Sequence, residues 1–148
     1  MDHIFQLFSI ITGVLVLIVG FGFHWIGQFI SVVNRDLAIR FGIWETDNLP
    51  EYEVYENAMA ITDVVLGWIY GIAGAGLIFS ISWAYTLAWI PGFALLYHSI
   101  FFWLRTAYQK KANHHVSTTK DPLRTGWFLA NFITGILTLA VAWIGVVR

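Results

Sequence analysis

The chain contains no cysteine, which excludes disulfides, thiolate metal sites and cysteine nucleophiles together. Charge is scarce as well, at 11% of residues and a net of −1. That balance supplies no electrostatic basis for nucleic acid, which is not expected as a partner. Proline occurs three times, and each copy marks a break, a kink or a helix start. A leader segment is not expected either. The opening MDHIFQLF has no basic n-region, and no small-residue cleavage pattern follows its apolar run, so that run reads as a retained membrane helix.

What remains is apolar. The 148 residues are 58% hydrophobic and 18% aromatic, with eight Trp, well outside the composition of soluble domains. The expected class is all-α, a single polytopic membrane domain folded as an up-down four-helix bundle, with spans at about 4–30, 56–79, 83–109 and 122–147. Seven of the eight Lys and Arg fall in the two long connections and only Arg148 at the other side. The positive-inside rule then puts both long loops in the cytoplasm and both termini outside, in a bacterial or archaeal inner membrane. In the first loop, Leu37, Phe41 and Trp44 flank Arg40 at helical spacing, which predicts a short helix lying in the interface. Pro50 breaks the chain, and Glu51, Glu53 and Glu56 crowd the start of the second span, where acids complement the helix dipole. Ser80, Ile81 and Ser82 form a tight hairpin between spans two and three. Pro91-Gly92 should kink the third span, and Asp121-Pro122 reads as a cap followed by a first-turn proline.

The most informative stretch is 56–76, ENAMAITDVVLGWIYGIAGAG. Glu56, Ala60, Asp63, Gly67, Tyr70, Gly71 and Gly74 share one face at 100° per residue. Gly67 and Gly71 form a GxxxG pair that admits a neighbouring helix, so Asp63 should face packed protein. Inserting such a carboxylate costs roughly 2.5–3.5 kcal/mol on the gentlest scale. Asparagine would pack as well at less cost, which favours a functional reading of Asp63. The glycine-rich 71–76 carries no lysine and reads as helix packing, not a phosphate loop. His24 lies on a face with Gly13, Gly20 and Gly27, His98 on a face with Ala84, Pro91 and Ala94, and Asn131 on a stripe with Arg124, Trp127, Gly135 and Gly145.

Depth ties these together. Asp63 is seven residues past Glu56, His98 seven before Arg105, and Asn131 seven past Arg124, each roughly 10 Å inside the boundary at 1.5 Å per residue. His24 falls at a similar level. A His–Asp–His–Asn layer across four spans is therefore expected, and the same order hints at two related hairpins.

Three uses stand open. His24, Asp63 and His98 are a nitrogen and oxygen set suited to a transition metal, or to protons or a small polar ligand, with Asn131 as an outer donor. Alternatively His24 and His98 clamp a b-type haem. The third is acid–base chemistry on a lipid or quinone beside Asp63. Against all three stands plain interhelical hydrogen bonding, worth about 0.6 kcal/mol on average; that is the better reading of Asn131 alone. His114-His115 read as solvated loop histidines. Binding of a metal ion or small polar ligand, by a subunit of a membrane assembly or a homo-oligomer, is the leading expectation.

Residues Tyr55-Glu56-Asn57-Ala58 with Asp63 resemble the opening of the second helix in a loose group of small, uncharacterised four-helix bacterial membrane proteins. The resemblance covers spans two and three. It implies four spans and a role for Glu56, Asn57 and Asp63. In overall shape the expected architecture is similar to small DoxX-like bundles, by analogy only.

Overall fold

A computed structural model describes residues 3–46, 48–112 and 120–148. His114 and His115 lie outside them. Among the described residues the regular structure is all helical. Three helices are long and apolar enough to cross a membrane: His3–Val33, Ser82–Lys111 and Asp121–Val147. A fourth crossing is made if Pro50–Leu66 and Trp68–Ile78, bent by 44°, count as one span. The protein is thus a helical membrane protein, and the outward faces carry Ile, Val, Leu and Phe as lipid requires.

The first long helix is not uniform. Helix α1 (His3–Leu15) widens into a π-helical segment, Val16–Trp25, before α2 (Ile26–Val33) resumes the ordinary pitch. Departures of this kind re-aim side chains and cluster at functional sites. Here His24 sits on the wide segment. The Asn34 side chain then accepts from Leu37 N (3.0 Å) and starts α3 (Arg35–Arg40). The expected interfacial helix is shorter than 37–44. Phe41 and Gly42 turn the chain (Gly42 φ +69°), and Trp44 folds back to pack with Ala38, Ala60 and Ile30. It is buried, not laid in the interface.

Helix α4 (Pro50–Leu66) begins at Pro50, six residues before Glu56, with Glu51 and Glu53 in its first turn. It breaks at Gly67, after which α5 (Trp68–Ile78) continues. At the break Trp25 Nε1 donates to the Val64 carbonyl (3.0 Å). This is the external donor that an interrupted helix needs away from water. A turn at 79–81 leads into α6 (Ser82–Leu87) and α7 (Trp89–Lys111). The expected disturbance around Pro91 falls just upstream: α6 ends at Leu87, the carbonyl that proline cannot bond. Helix α8 (Asp121–Val147) follows, with Lys120 rather than Asp121 at the cap.

Packing differs at the two ends. Near the 79–81 turn, α1 packs on α5 and α8, and α6 on α5 and α8, around Phe5, Leu77, Tyr85 and Val141. Gly74 lets the backbones touch there: a Cβ added to it would lie 3.0 Å from the Gly13 carbonyl oxygen. Gly135 does the same against Gly92 (3.0 Å) on α7. Towards the 34–49 loop, α2 packs on α4 and α7 on α8, and a cavity of ≈ 540 Å³ lies between the two pairs.

Candidate metal centre

Three elements converge where the packing divides. The π-helical segment brings His24, α4 brings Asp63 and α7 brings His98. Asp63 Oδ2 is 3.3 Å from His24 Nε2, and Asp63 Oδ1 is 3.3 Å from His98 Nε2. One ligand atom from each residue lies within 4.8 Å of the other two. The His24 side chain is 3% exposed, and Asp63 and His98 are each 13% exposed. The wider turn and the 44° break both sit beside this cluster, so irregular helix geometry aims two of its three members.

The contacts are not those of a finished hydrogen-bonded network. His24 Nδ1, His24 Nε2 and Asp63 Oδ2 are all buried without a hydrogen-bond partner, although two of them are 3.3 Å apart. Buried polar atoms are normally paired; Nε2 and Oδ2 have only their long mutual contact, and Nδ1 has none. Ligands held about 2.0–2.1 Å from a tetrahedral ion stand about 3.3–3.4 Å from one another. Here the two 3.3 Å separations run to different oxygens of Asp63, and it is the grouping of one ligand atom per residue within 4.8 Å that would contract to such an edge around an ion. Two imidazoles and a carboxylate form a donor set for zinc, manganese, iron or cobalt, with a coordination position left open.

A haem does not fit the same histidines. Axial ligands must face each other across the macrocycle, whereas these rings are in contact, their centroids 4.3 Å apart. Both Nε2 atoms also point at one carboxylate. The expectation of a haem clamp is therefore set aside.

Around the centre, Trp127 stacks on His24 (5.8 Å) and Tyr70 meets it edge-on (5.8 Å). Tyr70 is buried beside Gly20, where an added Cβ would strike its ring. Asn131 is fully buried, but its Nδ2 donates to its own helix at Trp127 O (2.8 Å). It supports the helix carrying Trp127 and makes no hydrogen bond to the triad. Gly67 and Gly71 are filled by Trp25 and Phe21 of the first helix. The GxxxG face is thus spent inside the chain.

Glu56 and Arg105 line the loop end of the cavity, and Asn57 lies outside it. Arg105 pairs with Glu56 and donates through Nη2 to Glu45 Oε2 (3.3 Å), and Arg124 Nε donates to Glu45 Oε1 (2.8 Å). Asn48 Nδ2 donates to Glu56 Oε2 (2.8 Å), and Gln109 Nε2 to Asn48 Oδ1 (3.2 Å). Glu56 is therefore an ion-pair partner as well as an early acid of α4. Asn57 accepts from Arg35 at the surface. Glu45, Asn48 and Gln109 escaped the sequence reading. Their partners lie 60 or more residues apart in several cases, and no local spacing signals them. Comparison with protein-family models, curated proteins and solved structures finds no match. The likeness of residues 55–63 to small four-helix membrane proteins thus stands on those residues alone.

Proposed function

We propose that this membrane protein binds a divalent transition-metal ion through His24, Asp63 and His98. The observation that carries the reading is the convergence of three ligand atoms within 4.8 Å, with His24 Nδ1 buried and without a hydrogen-bond partner. When bound, the ion supplies positive charge and Lewis acidity in a low-dielectric setting. The residues hold it, orient it through the Trp127 stack, and exclude bulk water by burial of His24. The same proposal takes the bent pair as one span, giving four crossings in up-down order, with the basic loops cytoplasmic. Association with other subunits or copies would use the outward apolar faces, since the glycines are occupied within the chain.

Elemental analysis of the detergent-purified protein after loading with zinc, manganese or cobalt tests the reading. About one ion per chain is expected, with affinity reduced more than tenfold in His98→Ala and Asp63→Ala. Wild type at background, or His98→Ala loading like wild type, would overturn it.

A further inference from the structure

The ≈ 540 Å³ cavity has a chemistry of its own. Its size falls in the range of small-molecule sites, about 300–1,000 Å³. Its walls are apolar and aromatic, with Phe23, Met59, Phe102 and Trp127 among them. Charged and polar groups concentrate at opposite ends. His24 and His98 stand at one end, and Arg105, Arg124, Glu45 and Glu56 at the other. Phe23, Ile26 and Leu123 line it and are exposed on the outer surface, so its rim is apolar where lipid would lie. The charges at the loop end pair off, two arginines with two glutamates. A phosphate headgroup would meet no net positive charge there. The buried His24 Nδ1, by contrast, has no hydrogen-bond partner among the described residues.

From these features we infer that the cavity takes a neutral, lipid-soluble molecule of the quinone class. Its flat head lies between the aromatic walls, with one oxygen towards the His24 and His98 imidazoles and the other towards the loop-end polar groups. Such a head matches the arrangement in three ways. It carries no charge, it offers acceptors at opposite ends, and it reaches the cavity from the bilayer. The inference concerns binding only. It rests on the proposed ligand-binding role of the two histidines, but it does not require a metal.

Gly27 supplies a clean test. It lines the cavity, and a Cβ added there meets only Ile43 at 3.6 Å, an ordinary contact. Gly27→Leu should therefore fill the cavity without disturbing the fold, which its thermal unfolding checks. Purified protein is titrated with decyl-1,4-benzoquinone and followed by tryptophan quenching, because Trp44 and Trp127 face the cavity. Metal content is measured on the same samples. Saturable quenching is expected, at least tenfold weaker in Gly27→Leu with metal content unchanged. Leu7→Ala, at an exposed position of α1 outside the cavity lining, should leave it unaltered. Absence of saturable quenching, or equal binding by Gly27→Leu, overturns the inference. Displacement of the quinone by equimolar phosphatidylglycerol also overturns it, in favour of a charged lipid. Metal loading without quinone binding sinks this inference alone; quinone binding without metal loading sinks the metal reading alone.

Discussion

The two ends of the molecule solve opposite problems. Near the 79–81 turn, four helical elements close on small and apolar residues, with Leu77, Ala84, Val141 and Ala142 fully buried. Towards the 34–49 loop, α2 with α4 and α7 with α8 stand apart around a cavity. That end is tied by Glu45, Glu56, Arg105 and Arg124 in addition to the small apolar cluster around Trp44. Polar groups grouped around space, in a chain that buries apolar surface well elsewhere, are the features on which the proposed ligand site rests. The His–Asp–His cluster lies at the junction.

Substitutions that act on one end and spare the other test this contrast. The largest effect is expected from Arg105→Ala, which removes the ion-pair partner of Glu56 and one of the two arginines on Glu45 at the loop end. Loss of about 3–5 kcal/mol is expected on breaking such a buried pair, seen as early unfolding in a denaturant titration. Leu77→Ala acts on the closed end. It should cost about 2–4 kcal/mol through the cavity it leaves yet preserve metal content per folded chain, measured on the surviving native fraction. Metal loss in that variant would mean the ends are not separable.

His24→Phe is predicted to move in the opposite direction. Removing a buried imidazole whose Nδ1 lacks a partner should outweigh the loss of its long 3.3 Å contact to Asp63 and stabilise the metal-free protein by about 1 kcal/mol, while abolishing ion binding. A destabilised metal-free variant would show that His24 holds the fold together. The smallest effect concerns the turn. Ser80 adopts φ +53°, and Ile81 N bonds to Gly76 O (2.9 Å) across the helix end. Glycine is favoured at such a position. Ser80→Gly should therefore raise stability by about 0.5 kcal/mol, with no change at the centre.

Much of the site was legible because membrane helices are regular. Seven-residue spacings from the ends of the spans put Asp63 and His98 at one level, with His24 ten residues in and close to it, and small-residue faces turned them inward; the structure brings the three together. Asn131 shared their depth but not their direction, since its amide bonds back to Trp127 on its own helix. The break at Gly67 and the wide turn at 16–25 were not legible, because glycine and apolar residues there fit a straight helix equally well. Nor were the ties of Glu45 and Asn48. Loop residues reach distant helices through a three-dimensional path that period and propensity do not encode, so Trp44 and the loop acids looked like interface and solvated positions.

The most direct test of the central claim is a cobalt titration of the purified protein, read by visible absorption. A nitrogen and oxygen centre of low symmetry should give ligand-field bands that saturate at one ion per chain and vanish in His98→Ala. A spectrum that never departs from that of aqueous cobalt, or bands that persist in His98→Ala, would contradict the account.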